Sequence, residues 1–128
     1  MLKPIQVVEL FMTTPNHQSV EAGETIFKIG TVGEFMYGVI EGTVELWVND
    51  RVVETISAGD VFGEGALVQI PHLRASTAVA KTNCRLALVD EAHFKFLVQE
   101  TPMFALEVIR SLSTRLRKFK AACAAPLE

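Results

Sequence analysis

Between residues 25 and 89 the apolar positions fall in short runs cut by turn residues. Thr25–Ile29, Phe35–Ile40, Thr43–Val48, Val52–Ser57, Ser76–Ala80 and Arg85–Val89 are rich in Val, Ile, Phe, Tyr and Trp. Each is bounded by Gly, Asn-Asp or Asp, which is the pattern of strands. Asn49-Asp50, between Trp47-Val48 and Val52-Val53, predicts a hairpin turn, because Asn and Asp tolerate positive φ. So many short strands at close spacing predict an antiparallel barrel or roll and not a parallel α/β sheet. All eight glycines lie between Gly23 and Gly65, inside this turn-rich part. Beyond residue 89 the pattern turns helical. Asp90 is placed to cap a helix over Glu91–Gln99. Thr101-Pro102 predicts a break and a new start, with Thr101 as N-cap, Pro102 at the first helical position and a helix reaching about Ala122. Pro4–Met12 predicts a short helix ahead of the strands.

Composition fits one domain. The 128 residues are 49% hydrophobic and 21% charged, enough for a core and unlike a disordered tail. The expected unit is residues 1–126, with the roll at about 13–89 and the C-terminal helices at about 90–123. Leu127-Glu128 resembles a cloning scar and is left out of fold reasoning. No apolar run is long enough to span a bilayer, and no apolar core follows Lys3 as in a signal peptide. Cys84 and Cys123 are too few for a disulfide scaffold or a structural zinc site. The expected location is cytoplasmic. Residues 1–102 carry seven Lys/Arg and 13 Asp/Glu, a net −6, so an anion bound there needs a local arrangement and not the overall field.

Gly59–Ala80 holds the candidate chemistry. Gly63-Glu64-Gly65-Ala66 follows a strand-like piece and is suited to a tight turn whose N–H groups face outward, an anion nest. Arg74 adds a permanently charged planar fork that matches phosphate. Glu64 would repel a phosphate, and a sugar hydroxyl is its natural donor. Nest, arginine and carboxylate together point to a ligand with a phosphate beside a sugar hydroxyl.

These residues resemble the cyclic-nucleotide-binding domains of catabolite-activator-type regulators, cyclic-nucleotide-dependent kinases (the cAMP-dependent kinase regulatory subunit among them) and gated channels. One signature lies in Ile26–Gly33, followed by Met36-Tyr37-Gly38-Val39 and Gly42. The other, the phosphate-binding cassette, is Phe62–Leu67 followed after six residues by Arg74-Ala75-Ser76. The likeness runs from about Ile5 to Lys120. It implies a mainly β fold with flanking helices: an eight-stranded antiparallel β-roll of jelly-roll type, a short N-terminal helix, a short helix in the cassette and two C-terminal helices. It implies a ligand-sensing, non-enzymatic role. Arg74 would bind the cyclic phosphate, Glu64 the ribose 2′-hydroxyl, and N–H groups around Gly65 and Ala66 would complete the cradle. Gly63 would let the backbone approach the ribose. Family members selective for cGMP often carry threonine where Ala75 stands, so cAMP is the expected ligand ahead of cGMP; no cofactor is implied. Gly65 replaces a large apolar residue, which is expected to remove a wall and loosen the turn. Ser76, Phe27 and Gly38 also depart from the family pattern.

Blander readings exist for each residue. Arg74 reads equally as a surface ion-pair partner and Glu64 as a solvated carboxylate, outside the cassette spacing that joins them. Gly30, Gly33 and Gly42 read as turn glycines, and Tyr37, Trp47 and Phe62 as core. His17, His72 and His93 are scattered, unlike the clustered ligands of a metal-dependent β-roll enzyme. No N-terminal cysteine cluster suggests an iron–sulfur sensor. In the last helix Ala105, Ile109, Leu112, Leu116, Phe119 and Cys123 are spaced 4, 3, 4, 3, 4, an a/d seam that predicts a homodimer. The competing reading packs that face on its own roll. Arg110, Arg115, Arg117, Lys118 and Lys120 are expected to be solvated or to complement the helix dipole. Direct nucleic-acid binding is not expected, since no helix-turn-helix follows and the body is acidic. Phe119, Lys120 or Cys123 of either subunit are candidate contacts for the base. The effector or partner protein is not specified. A fold that has lost its ligand and serves as a dimerisation or interaction module is the alternative.

Overall fold

The computed structural model describes residues 4–124, so the reading of Leu127-Glu128 lies outside the described residues. The order is α1 (Pro4–Met12), β1 (His17–Val20), β2 (Thr25–Phe27), β3 (Met36–Glu41), β4 (Thr43–Val48), β5 (Arg51–Ser57) and β6 (Val61–Phe62). Then come α2 (Gly65–Val68), β7 (Thr77–Ala80), β8 (Cys84–Val89), α3 (Glu91–Glu100) and α4 (Met103–Ala124). Two four-stranded sheets, β1-β8-β3-β6 and β2-β7-β4-β5, form the roll with antiparallel pairings throughout. Among the described residues no helix is long and apolar enough to cross a membrane.

The patterning explains the layers. Residues of β3 point alternately into the roll and out under the helices. Tyr37 and Val39 join the inner core with Val44, Leu46, Ile56, Phe62 and Leu86. Met36 and Ile40 join an outer core with Phe11, Val61, Leu97, Phe104 and Val108. Burial on both faces is why β3 reads as a continuous apolar run and not as an alternation. Strand β5 has solvent on one face and reads as mixed. Gly38 lies on the outer face, where a Cβ would stand 2.7 Å from the Phe11 ring. Its departure from the family pattern is the notch that seats α1. Phe11 then meets Phe104 of α4 edge to face, with centroids 6.0 Å apart.

Six predicted strands are present, with no end shifted by more than two residues. Asn49, at φ 52°, turns the β4–β5 hairpin, in which Val48 pairs with Arg51. Two strands lie outside the six predicted runs. His17–Val20 is polar and pairs with β8, and Val61–Phe62 is only two residues long. Asp90 caps α3, accepting the His93 N–H at 2.7 Å. Thr101 ends α3, and its carbonyl, not a side-chain cap, accepts the Phe104 N–H at the start of α4. Tyr37 and Phe62 are core as expected, whereas Trp47 is only half-buried.

Candidate functional site: the cassette cavity

The turn after β6 carries Gly63 and Glu64 into α2, and the chain returns through Arg74 to β7. Two backbone bonds tie this return to the β2–β3 loop: Gly30 N–H to the Arg74 carbonyl at 2.8 Å and Arg74 N–H to the Thr31 carbonyl at 2.8 Å. Arg74 is therefore held from both sides of its own backbone. Its guanidinium turns inward, with the residue only 5% exposed. Nη1 donates to the Gly63 carbonyl at 2.9 Å and Nη2 to the Phe35 carbonyl at 2.7 Å. The Phe27 ring lies beneath it, 4.1 Å from ring centroid to Cζ, a cation–π contact. Gly33 lies so close that a Cβ there would overlap the guanidinium, so this glycine serves the site as well as its loop.

Among the described residues Arg74 forms no ion pair. A buried cation neutralised only by carbonyl oxygens keeps an uncompensated charge, which an incoming anion would satisfy. Burial lowers its pKa, while Tyr37 and Glu64 oppose that shift. Glu64 shares the cavity. Its Oε2 is buried without a hydrogen-bond partner, and its Oε1 lies 3.7 Å from Arg115 of α4. Burial pushes the Glu64 carboxyl above the ordinary carboxylate range, against the pull of its backbone hydrogen bond and of Arg115; Glu54 and Asp60 add to the rise. An unpartnered buried acceptor calls for a donor, and a hydroxyl supplies one without adding charge.

The structure brings together all seven residues of the cassette reading. Gly63, Glu64, Gly65, Ala66, Arg74, Ala75 and Ser76 line one cavity of about 160 Å³. The Ala66 N–H bonds the Gly63 carbonyl at 3.3 Å and the Leu67 N–H bonds the Glu64 carbonyl at 3.0 Å, so α2 forms despite the glycine at its first position. A Cβ at Gly65 would meet nothing within 4 Å, so no steric demand explains this departure from the family. Phe119 lines an adjoining cavity of about 330 Å³ between β5 and α4, and Lys120 and Cys123 line neither.

Two further residues belong to the site. Arg115, expected to be solvated or to complement the helix dipole, is largely buried instead, with its side chain 13% exposed. Its Nε donates to Glu54 Oε1 at 2.7 Å and its Nη1 to the Val61 carbonyl at 2.6 Å, with Asp60 at 3.8 Å. Ser111, one turn earlier, bonds Asp60. These ion pairs and its hydrogen bond to Glu54 raise the Arg115 pKa against desolvation. The signal was present in the 4, 3, 4 spacing of Phe104, Val108, Ser111 and Arg115, a second stripe beside the a/d seam. Glu54, on a strand of mixed polarity, carried no such signal. No group of three or more His, Cys, Asp or Glu among the described residues is arranged to hold a metal ion.

The comparisons agree with this geometry. The family model described as the cyclic nucleotide-binding domain matches residues 17–101. A cAMP-dependent protein kinase regulatory subunit from Eremothecium gossypii is 37% identical over 86 residues, covering 67% of this chain and 19% of that protein. The cAMP-activated global transcriptional regulator CRP of Pasteurella multocida is 27% identical over 115 residues, covering 86% of this chain and 55% of the regulator. The chain thus spans a fifth to about half the length of these relatives. A solved chain described under "A cyclic-GMP-dependent signalling pathway regulates bacterial phytopathogenesis" superposes with a TM-score of 0.74 at 25% identity, covering 91% of this chain and 96% of its own. Eight strands in two sheets, a cassette ending on a buried arginine and a family match over most of the roll lead to one statement: this chain belongs to the cyclic nucleotide-binding domain family.

Proposed function

We propose that the chain is a ligand-sensing regulatory domain, without catalytic activity, that takes cAMP in preference to cGMP and relays binding through α4. The observation that carries this reading is Arg74, buried with only carbonyl partners, in one cavity with the unpartnered Oε2 of Glu64. The cyclic phosphate takes the charge of Arg74, and the ribose 2′-hydroxyl donates to Glu64. The preference for cAMP rests on Ala75, which lines the cavity and offers no hydroxyl to the 2-amino group of guanine.

Arg115 supports the relay. It joins α4 to Glu64 on one side and to Glu54, Asp60 and Val61 on the other. A ligand that occupies Glu64 changes the partners of this guanidinium, so its affinity differs between arrangements of α4; such a difference is the requirement for coupling. Homodimerisation is part of the proposal. Ile109, Leu116 and Phe119 of the a/d seam are 60%, 52% and 59% exposed, whereas Phe104 and Val108 of the roll-facing stripe are buried. The cytoplasm is the proposed location, with an effector domain or partner protein as the output.

Calorimetric titration of the protein and of Arg74→Ala with cAMP and cGMP tests the site. The variant is expected to lose on the order of a hundredfold or more in cAMP affinity, the scale of two charge-assisted hydrogen bonds. Unchanged cAMP affinity in a folded Arg74→Ala protein would overturn the assignment. The alternative, a dimerisation module without ligand, draws on the small volume of the cassette cavity and predicts no heat of binding from either nucleotide.

A further inference from the structure

The cavity around Arg74 is not isolated. Glu54 and Arg115 line both it and the cavity of about 330 Å³ between β5 and α4. That second space is walled by apolar groups, with Val52 and Val53 of β5 on one side and Phe119 of α4 on the other, all three exposed in the single chain. A lining of aliphatic and aromatic residues suits a flat heteroaromatic group. Glu54 is the only carboxylate there. Its Oε1 is tied to Arg115 at 2.7 Å, and Oε2 has no donor among the described residues, while the side chain is 34% exposed. Glu64 and Glu54 flank the same guanidinium. Glu54 is thus the carboxylate across the guanidinium from Glu64, on the wall that the two cavities share.

We infer that Glu54 is the specificity-determining residue for the base, accepting a hydrogen bond from an amino group at the purine 6-position. This rests on the reading of the cassette cavity as a cyclic-nucleotide site. The 6-position lies on the side of the base remote from the sugar. Adenine carries an amino donor there, and guanine and hypoxanthine carry a carbonyl acceptor. A carboxylate aligned on the 6-position gains a hydrogen bond from the first and faces a lone pair of the second, whose N1–H donor lies one atom further round the ring and needs a different alignment. Arg115 holds the carboxylate in place, so its orientation is set before the ligand arrives. Ala75 leaves the 2-position unread, and Glu54 supplies discrimination at the opposite edge.

The test uses three cyclic nucleotides that share phosphate and ribose and differ only at the base edge: cAMP, cIMP with a 6-carbonyl, and purine riboside 3′,5′-cyclic phosphate with hydrogen there. Calorimetry on the protein is expected to give cAMP at least about tenfold tighter than either analogue, the scale of one hydrogen bond to a charged acceptor. Glu54→Gln keeps an oxygen for Arg115 and adds an amide donor. Its preference for cAMP is expected to fall to about threefold or less, with the purine riboside affinity unchanged. Retention of the full preference in Glu54→Gln, or equal affinity for all three in the unaltered protein, overturns the role of Glu54 and leaves the phosphate site standing. Tighter binding of cIMP would put the N1–H and 6-carbonyl of an oxopurine on Glu54 or Lys118 of that rim, and also overturns a preference for the 6-amino group. Failure of all three to bind the unaltered protein overturns the nucleotide reading itself, and this inference with it.

Discussion

Arg74 and Glu64 lie ten residues apart in sequence and share a single cavity, yet their charges do not cancel at bonding distance. Each is left with something unsatisfied: a cation on carbonyls, and a carboxylate with one orphan oxygen. The pH dependence of stability reports the Glu64 side. Its pKa is raised by burial, so the folded state favours the protonated form. That contribution is fully present below the unfolded pKa and is lost as the pH rises through the folded value. Glu64→Gln is accordingly expected to melt above the unaltered protein at neutral pH. The gap should close as the pH falls from the raised folded value of Glu64 to the ordinary carboxylate value, roughly pH 4. Thermal melts across that range check it, and a variant that melts lower at neutral pH would contradict it. The same variant should bind cAMP more weakly, the usual trade between a strained functional group and stability. At this scale the cassette residues were legible, because a glycine turn, a carboxylate and an arginine at fixed spacing are a local pattern. Gly33 was not, because its tightness against Arg74 comes from a loop more than 40 residues away in sequence.

At the scale of elements, α4 has two faces separated by about one residue step. Phe104, Val108, Ser111 and Arg115 face the roll, and Ala105, Ile109, Leu112, Leu116 and Phe119 form the seam. Leu112 serves both, since it packs partly on the outer core. The face that packs on the roll is thus the neighbouring stripe, and Ile109, Leu116 and Phe119 of the seam are exposed. Arg115 is the polar end of the inner stripe, and its bonds to Glu54 and the Val61 carbonyl fasten α4 to β5 and β6. Arg115→Met keeps much of the aliphatic stem and removes the fork. It is expected to cost about 2 kcal/mol, the scale of hydrogen bonds made by a charged donor. Faster amide exchange in the second half of α4 should accompany that loss, with β3 and β8 protected as before. Uniform loss of protection across the roll would show instead that Arg115 supports the whole fold and does not tie one helix. Basic composition alone could not separate Arg115 from Arg117 or Lys118; the helical period singles it out once the packed face is known.

For the whole molecule, the roll is closed on the helical side by Phe11, Phe94 and Phe104, while the seam of α4 stays uncovered in the single chain. Seam substitutions should therefore affect assembly more than folding. Ile109→Glu with Leu116→Glu is expected to yield a monomer in light scattering, with the melting temperature extrapolated to low concentration little changed. An unaltered protein that is already monomeric at tens of micromolar would remove the dimer from the proposal.

Sequence by itself determined the strand-rich middle, the helical end, the cap at Asp90, the hairpin at Asn49-Asp50 and the glycine turn, carboxylate and arginine that line one cavity. Each of these is a short-range matter of period, turn chemistry or spacing along one stretch of chain. Only the tertiary structure decided that Arg74 has no anionic partner, that Phe27 lies beneath it, and that Arg115 leaves solvent to join Glu54 and Glu64. Those facts depend on which distant segments meet when two sheets and four helices close on their cores. Burial, which leaves these charges without full partners, exists only after that closure.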